Sequence, residues 1–461
     1  MIVTEKKRNS KMQFSRQTLL CLRPPRNSRR KLRYGVNLTY ESLEARSLLA
    51  TFTVTTAEDT NTDVADGLVS LREAVIAANT NASFGDAFAG EESGDIIRFS
   101  PTLNGATLTL VHDKLEINDD LLIQGGTGNI AISGGDNSRI FDVNSSEKVG
   151  FGKLKFVNGN ADGGGAMRLT GTGKTLLYKS TFQNNNTMPA VYSRGGAVYF
   201  ANGNLFVIDS IFTGNGRVQA VGFEPSASTS SGGAIYQESG SIFVQNGSMN
   251  SNVSASNGGA ISINGGSFYS VGLELKSNTS RIVVGDVVSG GSGGAIYAEN
   301  GASIVLQGGS LMGNSAGYGG AIEIRESCTL FINSGTEFRG NKAWSLDFGS
   351  SRGASISNLS ANLYVSDASF LSNNVFDGSG GGIFSNGGKN VVINSLFSNN
   401  KAAKGGGIFL DNNSTLALNS STLTENNASN LGGGIFISSG SYLYDFFASF
   451  TENTPDDIFR E

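Results

Sequence analysis

The sequence predicts an all-β chain wound as a parallel β-helix and opened by one short helix. Three observations predict it. Glycine supplies 63 of the 461 residues and proline only six. That balance suits short strands joined by tight turns and excludes collagen-like chains and proline-rich disorder. Two short phrases recur in strict alternation along most of the chain. The interval from the second phrase to the first is nearly constant, whereas the return interval is not.

The first phrase is apolar-x-x-Asn. It starts at Phe182, Phe212, Met249, Leu275, Leu311, Phe338, Phe370, Phe397, Leu423 and Phe450, and it ends at Asn185, Asn215, Asn252, Asn278, Asn314, Asn341, Asn373, Asn400, Asn426 and Asn453. The second phrase is Gly-Gly-Ala/Gly-apolar, from Gly164, Gly195, Gly232, Gly258, Gly293, Gly319, Gly380, Gly405 and Gly432, with a degraded copy "RGASI" from Arg352. Each glycine phrase leads to the next apolar-x-x-Asn phrase after 17, 18 or 19 residues. On the return, from 4 to 16 residues intervene between Asn and glycine. A fixed arm is one whose length is set by stacking on its neighbours. A free arm is a surface loop at one corner, where insertions cost little.

The fixed arm reads as strands, with period-two alternation such as Ile304 and Leu306 between Gly and Asn turns. A coil of about 26–30 residues with about three strands cannot bury its apolar face alone, and stacked coils can. Ten to thirteen coils at about 4.8 Å give a rod of about 50–60 Å. The apolar slot is expected to point inward as a ladder. Each Asn is expected at a turn, tolerating an unusual φ and bonding the like residue one coil away. The ladder is thus carried by Phe182, Asn185, Phe212, Asn215, Phe338, Asn341, Phe370, Asn373, Phe397, Asn400, Phe450 and Asn453.

The rod needs covered ends, because exposed strand edges invite association. "DGLVSLREAVIAAN" (66–79) predicts a helix over 70–79 with Ser70 as N-cap and Glu73 completing a capping box. Residues 51–105 form the N-terminal cap region and residues 106–461 the β-helix, with less regular first coils over 107–143. At the other end, the charged Asp456, Asp457, Arg460 and Glu461 are expected to discourage end-to-end growth.

Residues 1–50 read as a basic, disordered tail. Residues 1–33 hold eleven Lys/Arg and one acid, leaving 23 basic against 38 acidic residues, a net of −15, for the rest. So acidic a body excludes ordinary nucleic-acid binding, and the tail reads as a targeting element. "QTLLCL" (17–22) is too short for a standard signal-peptide core and is followed by Pro24-Pro25. Cys21 and Cys328 imply no disulfide framework. No apolar run is long enough to span a membrane.

With these phrases in hand, residues 150–455 resemble the repeats of polymorphic outer-membrane proteins, which are bacterial surface β-helices. The resemblance implies a right-handed helix of pectin-lyase-like type, displayed at the cell surface or secreted, with an adhesive or structural role. "DGLVSLREAVIAAN" resembles the CSLREA domain found ahead of such β-helices. It departs from that family at Val69, where the family has Cys. "LEARSLLA" (43–50), after "RRKLR" (29–33), resembles the Leu-Glu-Pro-Arg-x-Leu-Leu element of planctomycete envelope proteins, with Ala45 in place of the proline. Polymorphic outer-membrane proteins end in a membrane β-barrel. Nothing follows the last coil here, so self-anchoring is not expected.

Catalytic, metal and cofactor sites are not expected. His112 is the single histidine, and the Gly-His-Gly motif of polygalacturonases is absent. The acids of the repeat region are scattered and single; only "EIRE" (323–326) puts Glu323 and Arg325 on one strand face, as a surface ion pair. Ligand contact is assigned instead to the variable corner, where loops 186–194, 216–231, 279–292 and 342–351 emerge together. Its candidate residues are Arg217, Phe223, Arg281, Trp344 and Phe348, suited to a carbohydrate or a cell-surface protein. The alternative is a divergent carbohydrate-active β-helix enzyme, a polysaccharide lyase or hydrolase.

Overall fold

A computed structural model describes residues 49–188, 192–216, 229–284, 287–345 and 350–461. The basic tail to residue 48, Arg217, Phe223 and Phe348 lie outside the described residues.

Three long parallel sheets run the length of the molecule as a solenoid of about thirteen turns. One turn is Ile296–Ala298, Ser303–Gln307 and Ser310–Met312. The first of these belongs to a 13-stranded glycine-phrase sheet, the second to a 14-stranded sheet of longer strands, and the third to a 13-stranded asparagine-phrase sheet. All three lie on the fixed arm. Its turns absorb a residue or two without loss of register, as where Asn333 to Glu337 carries one residue more than Gln307 to Ser310, whereas an insertion within a strand would shift it. Ala50–Val54 and Asp95–Phe99 head the long-strand sheet, so these N-terminal strands and the repeats share it.

The apolar slots do stack through the core. Leu108, Ile132 and Phe156 open a column that continues through Phe182 and ends at Phe450. Where Phe follows Phe, the rings lie face to face. Phe182 and Phe212 are 4.5 Å apart at 3°, and Phe370 and Phe397 are 4.4 Å apart at 3°.

Beside this column runs a ladder of buried asparagines. Asn314 is 0 % exposed. Its Nδ2 donates to Asn341 Oδ1 at 3.0 Å and to Leu275 O at 2.9 Å. Its Oδ1 accepts from Asn278 Nδ2 and from Asn278 N, both at 3.0 Å. The same pattern links every neighbouring pair from Asn185 to Asn453. It begins one coil before the first Asn, where Gly159 N donates to Asn185 Oδ1.

Three sequence expectations are corrected. The positive φ of the asparagine phrase belongs to the residue before Asn, as at Ser277 (55°) and Gly313 (62°), so Asn keeps its side chain free for the ladder. The degraded glycine phrase begins at Gly353, not Arg352: Gly353 takes the positive φ (59°), and Ile356 pairs with Ile322. The free arm is not a bare loop either. Its first residues continue the backbone ladder, as when Ser315 N donates to Asn278 O at 2.9 Å. Ser315–Ala316, Lys342–Ala343 and Asn374–Val375 thus form part of a fourth, ten-stranded sheet. Insertions enter only beyond it.

The second glycine of the phrase is held by close approach. A Cβ on Gly294 would stand 2.0 Å from Gly320 O in the next coil.

The helix is Leu71–Thr80, with Ser70 as N-cap and both bonds of the capping box. Leu71, Ala74, Val75 and Ala78 are buried in the core cluster. Arg72 is buried too, paired with Asp59 at 2.7 Å. At the C-terminal end the acids have specific partners. Asp456 Oδ1 accepts from Gly432 N at 2.7 Å, and Asp457 Oδ1 accepts from Asn453 Nδ2 at 2.8 Å.

Replacing Asn314 with Ala leaves the Leu275 carbonyl and the Asn278 amide groups buried without partners, at about 1–3 kcal/mol each. The expected loss is roughly 3–5 kcal/mol. Asn314→Asp keeps the shape but turns a donor into an acceptor facing Leu275 O and Asn341 Oδ1, so it should destabilise at least as much at neutral pH. Chemical denaturation of the three proteins measures both. An Asp variant as stable as wild type would mean the ladder carries no net stability.

Candidate ligand-binding face

Stacking turns each position of a phrase into a row. The residue after the apolar position of the glycine phrase points outward, toward the variable arm. Successive coils place Arg168, Tyr199, Tyr236, Ser262, Tyr297, Glu323, Ser357, Phe384, Phe409 and Phe436 there, each paired in register with the next. A second row, two residues further on, includes Glu238, Asn264, Glu299 and Arg325.

These two rows interlock. The Tyr199 and Tyr236 rings stack at 5.8 Å. Arg194 lies 5.0 Å over the Tyr236 ring and pairs with Glu238 Oε2 at 2.7 Å. Asn264 Nδ2 donates to the other Glu238 oxygen at 2.9 Å. Tyr297 OH donates to Glu299 at 2.8 Å. Arg325 lies 5.3 Å over Tyr297 and pairs with Glu323 Oε1 at 2.9 Å. Burial pushes the Tyr236 and Tyr297 hydroxyls up, with the nearby glutamates adding to it, so both remain protonated donors.

Two expectations change here. Glu238, Glu299 and Glu323 are not scattered, because the winding gathers them on one face. The Glu323–Arg325 pair is not a surface pair, because Glu323 is 0 % exposed and its Oε2 has no hydrogen-bond partner. Burial pushes its carboxyl up from the ordinary range, against the opposing pull of Arg325.

Much of the row is sealed between the sheet and the arm, and two hollows open onto solvent. One, of about 420 Å³, is lined by Asp162, Gly163, Arg168, Thr170, Arg194 and Tyr199. The other, of about 370 Å³, includes Tyr318, Arg352, Phe384, Asn386, Phe409 and Asp411. In the first, Arg168 is held by Asp142 in a bidentate pair, and Arg139 is held by Asp162. In the second, Arg352 lies 4.5 Å over the Tyr318 ring and 5.5 Å over Phe384. Both combine aromatic walls with oriented charge, as recognition of polyhydroxylated ligands requires.

Of the loop residues singled out in the sequence, Arg281 is exposed and opens an antiparallel hairpin, pairing with Gly290. Trp344 folds back on the coil flank, with Nε1 donating to Ser315 Oγ at 3.0 Å. The two arms meet, since a Cβ on Gly290 would lie 2.3 Å from Trp344 O. Neither residue lines the two hollows. Phe376, 63 % exposed on a neighbouring arm, is the open aromatic there. The fifth letter of each glycine phrase was the signal for the outward row: Tyr, Tyr, Ser, Tyr, Glu. His112 is exposed. Among the described residues no group of His, Cys, Asp or Glu is placed to hold a metal ion, and no helix is long and apolar enough to cross a membrane.

The Chlamydia polymorphic membrane protein repeat model matches residues 394–411. That segment carries one apolar-x-x-Asn phrase at Phe397, the four-residue arm and the glycine phrase at Gly405. No curated protein matches the chain. No solved structure matches it either.

Glu323 gives a pH test. Its folded-state pKa lies above the unfolded value, so its contribution to stability is fully present below the unfolded pKa and is lost as pH rises through the folded pKa. Glu323→Gln stays neutral throughout. Relative to wild type, its melting temperature should therefore improve by a few degrees between pH 4 and pH 8. An unchanged or falling difference would mean that the Arg325 pair outweighs the burial.

Proposed function

We propose that this chain is a cell-surface β-helix that acts as an adhesive or structural rod and binds carbohydrate at the hollows that open beside its outward row. The first hollow, lined by Arg168, Arg194 and Tyr199, carries the reading. It sets the Tyr199 ring beside guanidinium groups oriented by Asp142 and Glu238. The polymorphic membrane protein repeat at 394–411 supports the surface location. The CSLREA-like helix and the planctomycete-like tail element fit export.

A second reading is a divergent polysaccharide lyase or hydrolase. Glu323 favours it, because a carboxyl raised by burial is the state a general acid needs. Its complete burial and its pairing with Arg325 favour the non-catalytic reading.

Glycan-array and whole-cell binding of the purified protein tests both. Tyr199→Ala and Arg194→Ala, which border the first hollow, should each weaken binding roughly tenfold, about 1.4 kcal/mol, with unchanged circular dichroism. Binding that survives both changes would move the site to the arms. Release of sugar ends that stops in Glu323→Gln would establish the enzyme.

A further inference from the structure

The long-strand sheet carries a second outward row, and no arm crosses it. Positions one, three and five of each strand face outward, and the third position forms an apolar row along the rod. Tyr269, Phe331, Tyr364 and Tyr444 are from 37 % to 54 % exposed in it. Across the six strands from Asn204–Ile208 to Asn362–Ser366, no outward residue is charged. An uncharged face with a continuous apolar row flanked by small polar residues suits an interface.

We propose that this face binds a second copy of the chain, the two rods running antiparallel about a two-fold axis through Val305. The row itself selects the register. Counting outward from Val305 in both directions, Phe206 meets Val391, Leu176 meets Ala417, and Gly150 meets Tyr444. In these three pairs a large side chain faces a small one. Nearer the axis, Tyr269 meets Phe331 and Phe243 meets Tyr364 as aromatic pairs. The fifth-position row obeys the same operation, with Gly152 facing Phe446 and Ile208 facing Ile393. A self-complementary patch is what a two-fold interface requires.

The area suffices. Eleven rungs at about 4.8 Å, with five-residue strands about 16 Å long, give roughly 800 Å² per copy, the size of a standard stable interface, with Lys148, Lys174 and Lys389 at the outer rungs as its charged rim. The rings of this face stack within the row. Phe331 and Tyr364 stack on each other at 4.8 Å and 12°, and Phe243 and Tyr269 at 5.7 Å and 10°. Their faces are thus spent within the row and their edges point outward, ready to interdigitate with another sheet.

Sedimentation equilibrium of the full chain at about 10 µM should give twice the chain mass, and Phe331→Asp should give the monomer with an unchanged melting curve. In a Cys21→Ser background, Val305→Cys should form a disulfide-linked dimer on mild oxidation. Phe206→Cys alone should not, and Phe206→Cys with Val391→Cys should. A monomeric wild type, a dimer indifferent to Phe331→Asp, or self-linking of Phe206→Cys overturns the proposal. So does a monomer whose binding to insoluble polysaccharide or to neutral phospholipid vesicles is lost in Phe331→Asp.

Discussion

The buried amide ladder from Asn185 to Asn453 is the constraint on which the rest of the structure depends. A coil of this size has no core of its own, and a polar side chain in the shared core must find all its partners there. Each ladder asparagine does so by using both the coil before it and the coil after it. Asn278 gives its two amide protons to Met249 O and Asn314 Oδ1, while its own oxygen takes two from Asn252. A shift of one residue on either side would break several such bonds together. The ladder therefore fixes register more tightly than the apolar column does, since that column accepts Phe, Leu or Met at the same slot.

The ladder is also polar along its axis. Every Nδ2 gives one proton to the amide oxygen of the later coil, so the aligned side-chain amides leave a donor to be met beyond Asn453. Asp457 stands there and accepts from it at 2.8 Å. The logic matches an acidic residue at a helix N-terminus. The other end closes without a charge, on the Gly159 amide. Asp456 and Asp457 thus act as terminal acceptors of the stacked bonds, which is a more specific task than repelling another rod end.

Much of this was legible in the chain. The alternating phrases gave the solenoid, the constant interval gave the stacked arm, and "SLREA" gave the helix and its cap. What was not legible has physical causes. Phe156 and Gly159 are the true first copy of the asparagine phrase, but the rung needs only a backbone amide from its first member, so no Asn marks it. The left-handed residue of that phrase varies among Asn, Gly, Ser and Glu, which hides it in sequence. Strands such as "NLFVI" and "SIFVQ" place apolar residues on both sheet faces. Period two cannot say which face is the core when both are apolar, and the outward row of the long-strand sheet was missed for that reason. The gathering of Glu238, Glu299 and Glu323 needs the coil register, which their spacing in sequence obscures because the arms between them differ in length.

The distribution of insertions follows from the same geometry. Each coil has three corners. Two of them flank the long-strand sheet, and their turns are short: Gly308-Gly309 alone joins Ser303–Gln307 to Ser310–Met312. A longer turn at either would stand above the flat row of Phe331 and Tyr364 and hold a second sheet away from it. The third corner lies between the asparagine and glycine phrases and borders the tyrosine row instead. There an insertion begins only after the short fourth-sheet strand has paired, so it disturbs neither the ladder nor the flat face. The hairpin that starts at Thr279 and the arm carrying Trp344 are two such additions, and they touch each other rather than the core. Variation is thus confined to one side of the rod, and the opposite side is free to keep a constant, self-complementary surface.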